Sequence, residues 1–262
     1  MALMHHVVTG TGSPPIVFVH GFACGHADWQ AQVAHFSPRH RTVSVDLPGH
    51  GATQAGAGPH TIERCGAEVA ALLGALSLSP AVLVGHSLGC RVVLDAALSA
   101  PERTAGIVLV DGSRFAAEAG GAFEARFAAG EYAALVRGLF EQMFTARSDP
   151  GTAGTVVERA LSLPEAVGRQ LLLSLVRYDV EQLEETLART RKPLLVLQTT
   201  FIDEARQRAS LRAGQTTPYL DFVRATVPAA RIEAIPGVGH FPQLDAPAEL
   251  NRALESFIAT LT

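Results

Sequence analysis

Two hydrophobic rhythms alternate along this chain. Short apolar runs bounded by turn residues recur at IVFVHG (16–21), TVSVDLPG (42–49), AVLVGH (81–86), GIVLVDG (106–112), PLLVLQ (193–198) and ARIEAIPG (230–237). Most are continuous, the pattern of parallel strands buried on both faces of a sheet. Between them the period lengthens to that of a helix. In TIERCGAEVAALLGAL the residues Ile62, Cys65, Val69, Leu72, Leu73 and Leu76 share one stripe, and Thr61 is placed to cap the first turn. Cys90, Val93, Leu94, Ala97 and Leu98 repeat a helical spacing. So do Leu250, Ala253, Leu254, Phe257 and Ile258 behind Pro247, with Asp245 as the expected cap. Strand and helix in alternation predict an α/β fold with a doubly wound, mostly parallel sheet.

The alternation lapses after Ser113. From there to Thr190 the pattern is helical (EARFAAG, EYAALVRGLFEQMF, TVVERALSL, EAVGRQLLLSLVRY, VEQLEETLART), with no convincing strand. The chain is therefore expected to divide into a core, residues 1–112 and 191–262, and an inserted all-helical subdomain, residues 113–190. The insertion carries Phe115, Phe123, Phe127, Phe140, Met143 and Phe144, enough apolar surface either to roof a pocket or to form its own core. Phe115, Phe140, Met143 and Phe144 are the candidates for binding substrate.

Composition narrows the function classes. Apolar residues make up 48% of the chain and charged residues 18%, a globular balance without a run long enough to span a bilayer. With 21 basic against 25 acidic residues, a net charge of −4 and no basic cluster, nucleic acid is not an expected partner. The opening MALMHHVVTGTGSPP lacks the basic-then-apolar order of a secretory signal, so a cytoplasmic location is expected. Cys24, Cys65 and Cys90 are odd in number and form no CxxC pair, which suits small buried side chains. The ten histidines include no HExxH spacing, and neither a metal nor another cofactor is expected.

The chemistry concentrates at Gly85-His86-Ser87-Leu88-Gly89. A strand that ends at Gly-x-Ser-x-Gly and runs straight into a helix makes a tight turn whose flanking residues have no room for a Cβ. The turn presents the Ser87 hydroxyl at the carboxyl end of the sheet and at the positive end of the next helix. A serine hydroxyl is a poor nucleophile, so it needs a base, a group to orient that base, and donors for an oxyanion. His240, delivered by a glycine-rich loop before the last helix, is the best base. His86 adjoins Ser87 but points elsewhere in a tight turn, and is read as an orienting or packing residue. His20 is read as structural, holding the loop that offers the Phe22 amide, with the Leu88 amide as second oxyanion donor.

The motifs HGF (20–22) with Trp29 downstream, DLPGHG (46–51), GHSLG (85–89) and GVGHF (237–241) occur in one order across nearly the whole chain. In this the chain resembles the α/β-hydrolase fold superfamily, in its serine hydrolase branch with a helical cap. The resemblance implies Ser87 as nucleophile, His240 as base, and Phe22 with Leu88 as the oxyanion hole; Asp46 matches a motif that shapes a loop. The acid departs from the usual pattern. The stretch after PLLVLQ reads TTFIDEARQR, with no glycine and with Asp203 one place late, whereas Asp111 of GIVLVDG occupies the site some members use instead. Asp111 is favoured and Asp203 is the alternative.

These residues predict a serine hydrolase that cleaves a carboxylic ester or lactone of a small apolar substrate through an acyl-enzyme. Carbon–carbon bond hydrolysis and haloperoxidase-like perhydrolysis use the same triad and stay open, while serine at the turn argues against dehalogenase and epoxide hydrolase chemistry. A ligand receptor with a slow triad is the reading from another class. The stretch Glu204 to Pro218, with Arg206, Arg208 and Arg212, is read as a solvated surface loop, with contact to the insertion or to an anionic group as the alternative.

Overall fold

The structure is a computed structural model that describes residues 3–78, 80–203 and 207–261. The first part of the chain runs through β1 (His6–Thr9), β2 (Ile16–Val19), α1 (Gln30–Phe36), β3 (Thr42–Val45), α2 (Ile62–Ala75), β4 (Ala81–His86), α3 (Leu88–Ser99) and β5 (Thr104–Val110). Five helices follow in succession: α4 (Glu118–Ala128), α5 (Tyr132–Glu141), α6 (Pro150–Ser162), α7 (Glu165–Glu181) and α8 (Leu183–Arg189). The remainder comprises β6 (Leu194–Gln198), β7 (Thr200–Ile202), β8 (Arg208–Ser210), α9 (Pro218–Thr226), β9 (Arg231–Ala234), α10 (Pro242–Asp245) and α11 (Pro247–Ile258).

Seven strands form one sheet in the order β1-β3-β2-β4-β5-β6-β9. Only β1 runs antiparallel, against β3; the other pairs are parallel. The continuous apolar runs have a simple cause. Val17, Val19, Leu83, Ile107, Leu109 and Val196 face one core with α2 and α3, while Ile16, Phe18, Val82, Val84, Val108 and Leu197 face a second with Trp29, Phe36 and α11. Because successive strand residues point to opposite faces and both faces are covered, every position of β2, β3, β4 and β6 is buried. Each Val, Leu or Ile so removed from water contributes roughly 1.5–3 kcal/mol before chain entropy opposes it.

The sheet's winding reverses between β2 and β4. From β2 the chain steps outward to β3, and from β4 it steps the other way to β5, so the loops after β2 and β4 diverge at one crevice. That crevice holds residues 20–22 on one side and Ser87 on the other.

The Thr61 hydroxyl caps α2 by accepting from the Arg64 amide at 3.2 Å. Asp245 does not cap the last helix. Pro242 and Pro247 each open a helix, and Ala246 between them, at φ −145° and ψ 51°, is the residue that caps α11. The Asp245 carboxylate instead accepts from the Ser148 hydroxyl at 2.7 Å. All three cysteines are buried and free, and burial pushes their thiols up, to about 12 for Cys65 and Cys90. Among the described residues no helix is long and apolar enough to cross a membrane.

The run α4–α8 is tied to the core by a buried ion pair. Arg91 Nε donates to Asp179 Oδ1 at 2.9 Å and its Nη2 to Oδ2 at 2.7 Å, joining α3 to α7. Arg91 Nη1 also donates to the Ser87 carbonyl at 3.0 Å, its Nη2 to the Ser113 carbonyl, and the Phe115 amide donates to Asp179 Oδ2 at 2.8 Å. With both partners about as dry as the core, removing one leaves a bare charge. Asp179→Ala is expected to lower the urea unfolding free energy by about 3–5 kcal/mol. Arg91→Met in the same chain should recover much of that loss; a single variant as stable as the parent would contradict this account.

Candidate active site

At the end of β4 the backbone turns through Ser87 at φ 54° and ψ −114°, a conformation that costs about 1–3 kcal/mol and persists only where packing enforces it. The flanking glycines enforce it. A Cβ on Gly85 would lie 2.2 Å from the Gly89 carbonyl oxygen, and one on Gly89 would lie 2.6 Å from that of Val19. The turn is locked from behind by the Ser87 amide, which donates to Val110 O at 2.9 Å. Ser87 itself is partly accessible, between buried His86 and Leu88.

The loop after β2 packs against this turn. A Cβ on Gly21 would come within 3.1 Å of Ser87 Cβ, so the backbone around Phe22 runs directly beside the serine. His20 fixes the loop. Its Nε2 accepts from the Leu47 amide at 2.9 Å, which leaves Nδ1–H to donate to the Gly21 carbonyl at 2.7 Å. Among the described residues the Phe22 and Leu88 amides donate no hydrogen bond, and Leu88 opens α3, where the helix dipole adds positive potential.

Of the two carboxylates weighed from the sequence, Asp111 meets His240. His240 Nδ1 lies 2.6 Å from Asp111 Oδ2, and both side chains are buried. An ionised carboxylate only accepts, so Nδ1 carries the proton and Nε2 is left with its lone pair. Asp111, also at positive φ, immediately follows β5, one strand from Ser87. Its Oδ1 accepts from the Thr199 and Thr200 amides at 2.8 and 2.7 Å, and its Oδ2 also accepts from the Thr200 hydroxyl at 2.5 Å. Burial alone would raise this carboxyl, but the His240 and Thr200 hydrogen bonds and the Arg208 charge hold it below the ordinary carboxylate value. Asp203 is engaged elsewhere, accepting from the Gln207 amide at 2.8 Å.

The His240 loop is held on two sides. His86 Nε2 donates to the His240 carbonyl at 2.7 Å, with the two rings 4.7 Å apart, and the His240 amide donates to Met143 O at 2.7 Å. Phe140 lies 6.4 Å from Phe22 and 6.3 Å from Phe241, and Phe144 stacks on Phe241 at 5.0 Å. Three of the four candidate lining residues thus border His240 and its neighbours. Phe115 does not join them; its ring packs 6.0 Å from Phe123.

Arg208 departs from the expected solvated loop. It sits on β8, paired with β7, and its side chain is only 12% exposed. Its Nη1 donates to Thr200 Oγ1 at 2.7 Å and lies 3.7 Å from Asp111 Oδ2. Arg206 falls outside the described residues. Thr199 and Thr200 carry no sequence signal, because a Thr-Thr pair after a strand is no motif, and β7 and β8 are too short to give a hydrophobic period that would set Arg208 apart from the neighbouring arginines.

Among the described residues one group brings possible metal ligands together: His5, His26 and Asp46, with ligand atoms within 4.8 Å of one another. Hydrogen bonding accounts for this cluster, since Asp46 accepts from both imidazoles and from the His26 and Ala52 amides at 2.8–3.0 Å. That is the loop-shaping role expected of Asp46.

A family model described as "Alpha/beta hydrolase family" matches residues 16–253, and the chain belongs to that family. Among curated relatives, it is 28% identical over 95% of its length to a dihydrolipoyllysine-residue acetyltransferase component of the acetoin cleaving system from Pseudomonas putida; the match spans 64% of that relative. It is 29% identical, over 98% of its length and the whole of the relative, to a pimeloyl-[acyl-carrier protein] methyl ester esterase from Xanthomonas oryzae pv. oryzae. A thermophilic esterase from Thermogutta terrifontis superposes with a TM-score of 0.82 at 23% identity, covering 98% of this chain and 93% of that one.

Four buried histidines set the acid sensitivity of the protein. Burial, before any neighbour, lowers His20 and His240 from 6.5 to about 4 and His50 and His86 to about 3. Below about 6.5 the unfolded chain binds protons that the folded chain refuses until its own lower values are reached. Stability from these groups is therefore complete above that pH and is lost as pH falls toward about 4. The urea midpoint should drop steadily from pH 7 to pH 4.5; a flat midpoint across that range would contradict the buried neutral state.

Proposed function

We propose that the chain is a serine hydrolase of carboxylic esters or lactones, working through an acyl-enzyme on Ser87. The observation that carries this reading is the dry Asp111–His240 hydrogen bond of 2.6 Å, which leaves His240 Nε2 with its lone pair, together with a strained, partly accessible serine one strand from Asp111. The relative from Xanthomonas oryzae, by its name an esterase, supports the same reaction class.

Ser87 Oγ attacks the substrate carbonyl carbon while its proton passes to His240 Nε2. Asp111 holds the imidazole in the required tautomer and stabilises the imidazolium. The carbonyl oxygen becomes an oxyanion received by the Phe22 and Leu88 amides, which are already oriented and have no other partner to give up. Collapse breaks the bond to the leaving alcohol, which takes the proton from Nε2. Water then repeats the sequence: Nε2 removes its proton, the hydroxide adds to the acyl carbon, and the acid leaves as Ser87 regains its proton.

Helices α4–α8 act as the cap in this reading. Phe140, Met143 and Phe144 reach the His240 loop, and with Phe22 and Phe241 they offer an apolar wall suited to a small apolar acyl group. The substrate is a small molecule.

On p-nitrophenyl acetate and butyrate, Ser87→Ala is expected to lower kcat by about three orders of magnitude or more. Asp111→Asn should cost about 10²–10⁴-fold, while Asp203→Asn stays within about twofold. Retained hydrolysis in Ser87→Ala, or a larger loss in Asp203→Asn than in Asp111→Asn, would overturn the assignment. A folded parent that hydrolyses neither ester would favour a binding protein.

A further inference from the structure

Asp111 and His240 are not alone in their buried site. Arg208 Nη1 lies 3.2 Å from His240 Nδ1. Nδ1 already carries the proton given to Asp111, and a guanidinium only donates, so this contact sets two donors side by side. It is a repulsion held in place by the fold. Three features hold it: Nη1 donates to Thr200 Oγ1, the Arg208 amide donates to Gln142 Oε1 at 3.1 Å, and β8 is zipped to β7. Thr200 passes the polarity on, since its hydroxyl accepts from Arg208 and donates to Asp111 Oδ2.

We propose that Arg208 is a positioning residue of the acid–base pair: its guanidinium keeps Asp111 ionised, directly and through Thr200, and opposes the imidazolium form of His240. The base is thereby kept neutral in mildly acidic solution, and the hydrolase works further into acid than an Asp–His pair alone allows. This rests on His240 being the base of the proposed reaction.

The other charged or titratable groups around His240 do not supply the effect. His86, at the end of β4, is buried and neutral, and donates to the His240 carbonyl. Arg91, on α3, adds a weaker repulsion but is neutralised by Asp179. Asp245, on α10, lies against Gly239 and is held by the Ser148 hydroxyl. Asp111 attracts a proton to the ring. Arg208 is the cation in direct contact, and its charge ranks next after burial in lowering His240. A cation at this range displaces a neighbour's titration by about 1–3 units.

The test follows the titration of His240 in two ways. The acid limb of kcat/KM on p-nitrophenyl butyrate reads it through turnover, and the proton NMR signal of the His240 ring, assigned by its loss in His240→Gln, reads it without turnover. Arg208→Gln and Arg208→Met are expected to move both upward by about one unit or more, while Arg208→Lys, which keeps the charge, stays within about half a unit of the parent. A folded neutral variant whose NMR titration does not move overturns the proposal. So does a parallel loss of rate at every pH with an unmoved limb, which is the mark of a merely structural arginine. If the protein hydrolyses no ester, the NMR titration still decides the role of Arg208 while the failed turnover counts against the reaction, so the two failures are told apart.

Discussion

Steric exclusion at one backbone turn organises this molecule. Between β4 and α3 there is no space for a Cβ at Gly85 or Gly89, because the elbow's own carbonyl and the passing carbonyls of Val19 and His20 occupy it. The chain can make the turn only by holding Ser87 at positive φ, and the sheet on both sides must be fully packed to sustain that strain. The same closeness of β2 brings the Phe22 loop against the serine, and the start of α3 supplies the Leu88 amide. The crevice exists because the sheet reverses its winding there.

Around that turn the protein keeps charges in places where an unpaired charge would be prohibitive. Asp111 survives as an anion because four donors converge on its two oxygens. Arg91 survives because Asp179 meets it with two bonds, and that pair links the serine turn to α7. These bonds make the position of α4–α8 relative to Ser87 a matter of electrostatics as well as packing. His20 and His50 are spent as neutral connectors between loops, each with both ring nitrogens hydrogen-bonded, while His86 holds the His240 carbonyl through its Nε2.

Much of this was legible in the residues. Parallel strands buried on both faces read as unbroken apolar runs, and GHSLG between a strand and a helix carries its own steric logic. The helical stretch from Glu118 to Arg189 was equally plain from its period. What could not be read were features whose signal is spatial. The choice between Asp111 and Asp203 depends on where β5 and β6 end in space. β1 and the β7–β8 hairpin are only three or four residues each, too short for a period to emerge. Arg208 looked like one of several loop arginines because its burial comes from pairing with β7 and from Gln142, far away in sequence. Asp245 followed a sound capping rule but lost to two prolines that start separate helices.

The central claim is that Ser87 is a nucleophile activated by His240. A fluorophosphonate probe reports on this directly, since it forms a covalent bond only with an activated hydroxyl. Intact-protein and peptide mass spectrometry should find one adduct per chain, on Ser87, forming rapidly in the parent and only very slowly in His240→Ala. No adduct on the folded protein, or an adduct on a different residue, would contradict the account.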